Sequence, residues 1–154
     1  MGYSVWRYIP VFPLIENEMD ELQFYELDNE DQQLIEAASA VLERNFHPER
    51  HTVGAAVLTG SGKIYSAVNV ESVGYGPCAE PIAVGSAISA GERELLRVVA
   101  VSNEQAPHAV LSPCGNCRQL LNEYAPDSFI VIEYQARLVK VRAKDLLPAA
   151  FHKF

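Results

Sequence analysis

The pattern of hydrophobic and polar positions divides the chain from residue 28 onward into helices and strands. In "DNEDQQLIEAASAVLERNF" the apolar residues recur at helical spacing, which predicts an amphipathic helix: Leu34, Ile35, Ala38, Val41 and Leu42. Asp28 or Asn29 can cap the first turn of this helix. The next segment, "TVGAAVLTGSGKIYSAVNVE", contains two β-rich runs around a glycine-serine-glycine turn, and it predicts a hairpin.

The second half of the chain alternates between the two periodicities. "CAEPIAVGSAISAGE" predicts a helix that stops at Gly91, and "LLRVVAVSN" predicts a buried strand. "CGNCRQLLNEYAP" predicts a helix ending before Pro126; "SFIVIEY" and "RLVKVR" predict strands, and "AKDLLPAAF" a short closing helix. This order indicates an α/β layered domain around a sheet of about five strands, spanning residues 28–154. Residues 1–27 are acidic and irregular, and are predicted to be an N-terminal extension.

Composition and charge narrow the class of partner. The 154 residues are 49% hydrophobic and 21% charged, as expected for one globular domain. The formal net charge of −8 disfavours a nucleic-acid partner and favours a small substrate. No apolar run approaches a membrane span, and the N-terminus lacks the features of a secretory signal, so a cytoplasmic location is predicted.

The chain has three cysteines, an odd number that excludes a complete set of internal disulfides. In a cytosolic chain metal binding or catalysis is the better interpretation. Cys114 and Cys117 are three positions apart at a predicted helix start, so their sulfurs face the same side. Cys78 opens another predicted helix, and helix N-termini favour thiolates. Three converging thiolates predict a zinc ion with a fourth position open to water, whose pKa the metal lowers.

Glu80 follows Cys78 by two residues, close enough to touch such a water without ligating the metal. A carboxylate there can take a proton from the water and hand it to a leaving group. Three alternatives remain open: a redox-active C-x-x-C, buried cysteines without a ligand, and a closed structural zinc. The fourth ligand of a closed site would come from one of the four histidines: His47, His51, His108 or His152.

"CAE" at 78–80 and "PCGNC" at 113–117 match a ligand-x-Glu element followed by Pro-Cys-x-x-Cys. With "VGAAVLT", "NVE", "SPCGNCRQ" and "LLPAAF" in the same order, the chain resembles the zinc-dependent cytidine deaminase superfamily from about Val53 to Phe151. Within this superfamily, the order of these motifs resembles that of the small homotetrameric cytidine deaminases and the blasticidin S deaminases. It implies a three-layer α/β/α sandwich around a mixed sheet, and hydrolytic removal of the amine from a cytosine-type nucleoside.

The resemblance also implies roles for individual residues. Cys78, Cys114 and Cys117 would hold one zinc ion per subunit, with Glu80 as proton shuttle. Two backbone groups complete the base site: the N–H of Ala79 would bind the pyrimidine carbonyl, and the carbonyl of Ser112 would face the departing amine.

Asn69 and Glu71 carry the prediction about substrate. Residues two apart on a strand point to one face, and the resemblance matches this pair to the asparagine and glutamate that hold a ribose hydroxyl. Blasticidin S deaminase has tyrosine at the glutamate position, and an anionic Glu71 would repel the carboxylate of that antibiotic. Glu71 therefore favours cytidine or deoxycytidine. The spacing of nine positions from Asn69 to Cys78 and the "GPCAE" segment instead match blasticidin S deaminase.

His51 stands where cytidine deaminases usually carry a phenylalanine against the substrate, so it can stack and adds a polar edge. The alternative is a surface histidine beside Arg50. Phe151 matches the aromatic residue that the tetrameric enzymes send into a neighbouring subunit's pocket, which implies a homotetramer with shared active sites. The alternative is a C-terminal packing anchor.

Two arginines of the relatives are replaced, by Pro81 and Asn116, so Arg118 and the helix dipoles remain to compensate the thiolate charge. The sequence thus predicts a zinc hydrolase of pyrimidine salvage that deaminates cytidine or deoxycytidine. A deaminase of blasticidin S or of a modified cytosine is the first alternative. A non-catalytic zinc-stabilised binding module is the second, and a polynucleotide deaminase is disfavoured by the charge.

Overall fold

A computed structural model of the chain describes residues 22–103 and 109–152. The described elements are, in chain order, α1 Asn29–Asn45, β1 Val53–Thr59, β2 Ile64–Val68, α2 Ala79–Ser89, β3 Leu95–Ser102, β4 Ala109–Leu111, α3 Gly115–Tyr124, β5 Phe129–Tyr134, β6 Arg137–Arg142 and a 3-10 turn at Ala143–Leu146. None of the three α-helices in these ranges is long and apolar enough to cross a membrane.

The strands form one mixed sheet in the order β2-β1-β3-β5-β6. β3 and β5 run parallel, and the other neighbours are antiparallel. β4 pairs with the end of β3, where Val101 faces Val110. The mixed sheet is therefore confirmed, with β4 as a strand that the sequence pattern did not predict. Three residues are too few for a period of two to be recognised.

Helices cover both faces of the sheet, so the three-layer α/β/α sandwich is confirmed. On one face α1 buries Leu34 and Leu42 against Ala56, Val99 and neighbouring side chains. On the other face α2 and α3 bury a larger apolar cluster, in which the sheet contributes residues such as Val57, Val98 and Ile130. Alternate residues of β1 and β3 serve the two layers because successive side chains of a strand point to opposite faces.

Local chemistry explains where the helices begin and end. Asp28 is the N-cap of α1: its carboxylate accepts from the backbone N–H of Glu30 and Asp31, and the Asp31 carboxylate accepts from the N–H of Asp28. After α2, Gly91 adopts a φ of +93°, which stops the helix as predicted. The predicted closing helix is only the 3-10 turn, because Pro148 follows it and Ala149 has a φ of +52°.

The described part of the predicted N-terminal extension, residues 22–27, lies against the outer edge of the sheet. Tyr25 and Lys140 exchange two backbone hydrogen bonds of 2.9 Å, which places Tyr25 beside β6. Leu22 packs against the apolar cluster of the α2–α3 face. Residues 1–21 lie outside the described ranges.

An ionic cluster joins the start of α1 to the sheet, and it consists of Asp28, Glu30, Asp31, Arg97 and Lys140. Arg97 Nη1 lies 2.6 Å from Asp28 Oδ1 and 2.7 Å from Asp31 Oδ1, and Arg97 Nη2 lies 2.5 Å from Glu30 Oε2. Lys140 Nζ lies 2.7 Å from both Asp28 Oδ2 and Asp31 Oδ2. The Arg97 and Lys140 cations hold the pKa of Asp28 well below its usual range. Each buried charge in the cluster therefore has a partner within the chain.

Candidate active site

Three sulfurs meet where α2 and α3 begin, and we call them the sulfur cluster: Cys78, Cys114 and Cys117. Cys78 and Cys114 are the N-cap residues of the two helices, and Cys117 is in the first turn of α3. Cys114 Sγ lies 3.7 Å from Cys78 Sγ and 3.5 Å from Cys117 Sγ, and all three sulfurs are within 4.8 Å of one another. The structure thus brings together the three cysteines that the sequence predicted to converge.

The spacing of the sulfur cluster fits a tetrahedral zinc ion. With Zn–S bonds of about 2.3 Å, sulfurs on neighbouring corners are about 3.8 Å apart, whereas a disulfide needs about 2.05 Å. Within the described ranges, no histidine or carboxylate joins the group, so the site offers three protein ligands and one open position. His51 Nδ1 is engaged elsewhere, by the Asn69 carbonyl at 2.7 Å, and His108 lies outside the described residues.

The electrostatics of the cluster also call for a cation. Burial raises the pKa of Cys78 and of Cys117, and for Cys117 the nearby Glu80 carboxylate raises it further. Burial also opposes ionisation of Cys114, but hydrogen bonds from Cys117 and from the N–H of Asn116 outweigh it and lower the pKa of Cys114. Three thiolates close together repel one another, so a divalent cation is the natural counterion for this ligand set.

Glu80 lies beside the sulfurs in the first turn of α2 and is 6% exposed. Burial raises the pKa of its carboxyl group, and hydrogen bonds from its own backbone N–H and from Cys117 offset part of this rise. A carboxyl group whose pKa is raised by burial holds a proton more readily near neutral pH. Glu80 therefore has the environment of a proton carrier beside a metal site.

The guanidinium group of Arg118 is held by three oxygen acceptors beside the site. Its Nε donates to the Pro113 carbonyl at 2.8 Å, its Nη1 to the Leu146 carbonyl at 3.1 Å, and its Nη2 to Ser112 Oγ at 3.1 Å. It fastens the start of α3 to the 3-10 turn and to the segment before Cys114. Among the described contacts, compensation of the thiolate charge comes from backbone N–H groups at the helix starts.

The predicted sugar-binding residues lie just beyond β2, which ends at Val68. Asn69 is buried, and its Nδ2 donates to Glu71 Oε1 at 3.1 Å. The ring of His51 is tied to the same residue through the Asn69 carbonyl. The structure therefore brings these three residues together, although Asn69 and Glu71 follow the strand instead of lying within it.

Comparison with known proteins identifies the family. A sequence profile for the zinc-binding region of cytidine and deoxycytidylate deaminases matches residues 28–133. The chain belongs to this deaminase family. A blasticidin-S deaminase from Bacillus cereus is 36% identical over 137 residues, which cover 84% of this chain and 98% of the relative. A cytidine deaminase from Halalkalibacterium halodurans is 34% identical over 125 residues, which cover 78% of this chain and 92% of the relative.

Solved structures agree with this assignment. The 1.6 Å crystal structure of cytidine deaminase from Burkholderia pseudomallei superimposes with a TM-score of 0.66 at 38% identity, covering 78% of this chain and 98% of that one. The resemblance stated from the motifs is thereby confirmed, and so is the cytidine deaminase-like fold. Within this deaminase family zinc is the expected metal, and the sulfur cluster is the group in the described ranges that can hold it.

The remaining predicted residues occupy different environments in this family member. Ala79 is fully buried as the first residue of α2, where its N–H has no partner within the helix. Ser112 lies directly before the Pro113–Cys114 step and is exposed. Phe151 is 70% exposed, while its carbonyl accepts a hydrogen bond of 2.8 Å from Gln119 Nε2. Within a single chain, Phe151 is thus not a packing anchor.

Sequence reasoning did not identify Gln119 or the anchoring role of Arg118. They are the two residues after Cys117. Gln119 donates a hydrogen bond to the Phe151 carbonyl, and Arg118 donates one to the Leu146 carbonyl. Both residues belong to the "SPCGNCRQ" motif, but only the folded chain shows which carbonyl groups accept hydrogen bonds from their side chains.

Proposed function

We propose that this chain is a zinc-dependent hydrolase that converts cytidine or deoxycytidine to uridine or deoxyuridine. The observation that carries the proposal is the sulfur cluster, with sulfurs 3.5 and 3.7 Å apart, beside the buried carboxyl group of Glu80. The relatives from Halalkalibacterium halodurans and Burkholderia pseudomallei, both cytidine deaminases, support the substrate class.

The proposed roles follow from position. Cys78, Cys114 and Cys117 hold the zinc ion, which when bound supplies a Lewis acid that lowers the pKa of a water molecule. Glu80 would accept a proton from water and deliver it toward the departing amine, because burial raises the pKa of its carboxyl group and so makes the carboxylate a better proton acceptor.

Two backbone groups would orient the pyrimidine. The N–H of Ala79, which has no acceptor within α2, is proposed to donate to the pyrimidine carbonyl, and the Ser112 carbonyl is proposed to face the amine. Such fixed groups need no reorganisation during the reaction, which is why backbone donors are effective at polar reaction centres.

Blasticidin S is the second candidate substrate, and the relative from Bacillus cereus favours it. That blasticidin-S deaminase is 36% identical and is covered over 98% of its length. Glu71 argues for the ordinary nucleoside, because a carboxylate in the sugar pocket repels a carboxylated sugar. Glu71→Gln separates the two: a loss confined to cytidine supports the nucleoside, whereas a loss confined to blasticidin S supports the antibiotic.

The first experiment follows loss of the exocyclic amine by ultraviolet absorbance, with cytidine, deoxycytidine and blasticidin S in parallel. Wild-type protein should turn over the two nucleosides. Glu80→Gln should reduce kcat by roughly 10²- to 10⁴-fold, the contribution typical of a proton-transfer group, while zinc content by metal analysis stays unchanged. Glu36→Gln, an exposed position on α1, is the matched control and should retain full activity.

Substantial turnover by the Glu80→Gln variant would refute the assignment of Glu80. Zinc-loaded protein that is silent on all three substrates would favour a modified cytosine or the non-catalytic zinc-stabilised module. Among the described residues no fourth protein ligand joins the sulfur cluster, which supports the catalytic interpretation over that module, since structural zinc sites are closed by four protein ligands.

We further propose a cytoplasmic homotetramer of pyrimidine salvage, in which residues 28–154 form the catalytic domain and residues 1–27 an extension. The exposed ring of Phe151 supports a site shared between subunits, because an aromatic residue on a fixed backbone is suited to a neighbour's pocket. Exposed Val73 and Tyr75 in the loop before Cys78 support further burial between subunits. Sedimentation analysis gives the mass that tests the assembly.

A further inference from the structure

A cavity of about 450 Å³ lies at the end of the sheet where β3 and β5 begin and β6 ends. Arg97 of β3 pairs with Phe129 of β5, and Phe129 pairs with Arg142 of β6, so the three strands meet at this cavity. Tyr124, the last residue of α3, forms part of its wall. The sulfur cluster is at the other end of this ten-residue helix, about 15 Å away. The cavity is therefore separate from the candidate active site.

Three arginines lie on the wall of the cavity, and two of them are already engaged. Arg97 contacts the carboxylates of the ionic cluster. Arg93 Nη1 lies 3.3 and 3.4 Å from two backbone carbonyls at and just after the end of α2. Arg142 donates from Nη1 to the Asp127 carbonyl, and within residues 22–103 and 109–152 no carboxylate forms an ion pair with it. Among the described contacts, the Nε and Nη2 edge of Arg142 is thus free.

The guanidinium group of Arg142 is held in place by its neighbours. Its Cζ atom lies 3.7 Å from the centroid of the Phe129 ring and 5.9 Å from the centroid of the Tyr25 ring. Its bond to the Asp127 carbonyl fixes the orientation of the plane. The N–H groups of Nε and Nη2 are parallel, and they match two oxygens of a carboxylate or a phosphate. Because these donors are already oriented, binding an anion there costs little side-chain entropy.

The negative groups around the cavity are directed to other partners. Lys144 Nζ lies 2.7 Å from Asp127 Oδ1. The Glu94 side chain packs over Gly60, in the turn after β1, where it would collide with any larger residue. The carbonyl of Ala125, at the negative end of α3, already accepts two hydrogen bonds from the following turn. The cavity therefore offers one uncompensated cation, which suits a ligand with one or two negative charges.

The wall of the cavity also carries apolar surface. Tyr124 is 59% exposed and Leu96 is 37% exposed. A flat ring can stack on an exposed tyrosine, while an anionic group attached to the ring contacts the arginine. A volume of about 450 Å³ is within the range of small-ligand sites. Size, charge and surface thus agree on one class of ligand.

We propose that this cavity binds a small ring compound that bears a single phosphate or carboxylate group. The Nε and Nη2 edge of Arg142 holds the anionic group, and Tyr124 contacts the ring. This site is independent of the proposed function, since it shares no residue with the sulfur cluster or with Glu80. A nucleoside 5′-monophosphate and an aromatic carboxylate have the same recognisable chemistry, and the choice of probes distinguishes them.

The experiment is a calorimetric titration of the zinc-loaded full chain with three probes. Uridine 5′-monophosphate carries a ring and a phosphate, benzoate carries a ring and a carboxylate, and inorganic phosphate is an anion without a ring. We expect one of the two ring probes to bind at least about 10-fold more tightly than inorganic phosphate, because only a ring adds the contact with Tyr124. The tighter ring probe identifies the anionic group.

Arg142→Gln should raise the Kd of the tighter probe roughly 10- to 100-fold, as for loss of hydrogen bonds to a charged group. Arg142→Lys keeps the charge without the paired donors, and should give a smaller rise. Arg137→Gln removes the same charge at an exposed position at the start of β6, and should leave Kd unchanged. The kcat and KM for cytidine should stay at wild-type values in all three variants.

Tyr124→Ala keeps the inference testable if Arg142→Gln does not fold, because Tyr124 is an exposed position at the end of α3. It should weaken binding of the ring probe and leave binding of inorganic phosphate unchanged.

Three results would overturn the inference. One is that neither ring probe binds more tightly than inorganic phosphate. The second is that the Kd of the tighter probe is the same in wild type and in folded Arg142→Gln. The third is competition between the probe and cytidine in steady-state kinetics, which would place the probe in the active site instead of this cavity.

Discussion

The ionic cluster and the sulfur cluster lie on opposite faces of the same sheet, and their charges are balanced in different ways. In the ionic cluster, Asp28 and Asp31 each meet both Arg97 and Lys140 at 2.6 to 2.7 Å. In the sulfur cluster, three thiols and the Glu80 carboxyl group are close together, and among the described contacts no lysine or arginine side chain meets them.

Because of this difference, the pKa values of the acidic groups are shifted in opposite directions in the two clusters. The pKa of Asp28 is lowered because cations surround it, whereas burial raises the pKa of Cys78, Cys117 and Glu80. An acidic group whose counterions are part of the chain contributes to the architecture of the fold. A buried acidic group without them is prepared for a ligand that brings positive charge. The same physical rule thus separates a structural site from a functional one.

The largest expected effect is on the cluster that lacks its own cation. Cys114→Ala removes the central sulfur, which lies within 3.7 Å of both others, so the remaining two ligands should no longer retain zinc. We expect turnover of cytidine to fall to background, together with zinc content by metal analysis. Ser89→Ala, at the exposed end of α2, is the control and should keep both the turnover of cytidine and the zinc content of wild type. Full zinc occupancy in Cys114→Ala would exclude the sulfur cluster as the metal site.

A smaller effect, on stability instead of chemistry, is expected in the ionic cluster. Asp31 is fully buried, and Asp31→Asn removes the buried carboxylate that both Arg97 and Lys140 contact, which leaves these cations only the partly exposed Asp28 and Glu30. Breaking a buried ion pair in this way costs about 3–5 kcal/mol of unfolding free energy, measurable by denaturant titration. Activity per folded molecule should be retained.

The matched comparison is Glu30→Gln. The Glu30 side chain is 59% exposed, and its contact with Arg97 should contribute no more than about 1 kcal/mol. If Asp31→Asn and Glu30→Gln lowered the unfolding free energy equally, burial would not determine how much each contact of this cluster contributes to stability.

The smallest expected effect is the acid dependence of stability. The folded-state pKa of Asp28 lies well below the ordinary value of 3.8, so its contribution to stability is fully present above that pH and is lost progressively as pH falls from there toward the lower folded-state pKa. Asp28→Asn keeps a capping oxygen but removes the charge, and should flatten the fall in unfolding free energy that begins at about pH 5 and continues below about pH 3. An unchanged slope in this variant would assign the acid sensitivity to other carboxylates.

Much of the fold follows from local pattern, because its signals lie close together in the chain. The spacing of Leu34, Ala38 and Leu42 predicts α1, and Asp28 marks its start. The positive φ of Gly91 agrees with the predicted end of α2. The positions of Cys114 and Cys117 in one helical turn were equally predictable, since three residues span nearly one turn.

Contacts between distant residues were beyond the same reasoning. The Asp31–Lys140 pair joins residues 109 positions apart, and the Asn69 amide meets N–H groups 16 and 17 positions earlier. Periodicity shows which face of an element is buried, but not which residue of another element lies opposite. The sequence therefore predicted that Asn69 and Glu71 act together, and not that the backbone of β1 occupies the amide oxygen.

The pairing of Tyr25 with Lys140 has a consequence for how copies of this chain behave in concentrated solution. β6 is the last strand of the sheet, and an uncovered last strand offers its backbone groups to strands of other molecules. Tyr25 occupies the outward N–H and carbonyl of Lys140, in the middle of that strand. The short segment ahead of α1 thus protects this edge of the sheet from pairing with strands of other molecules.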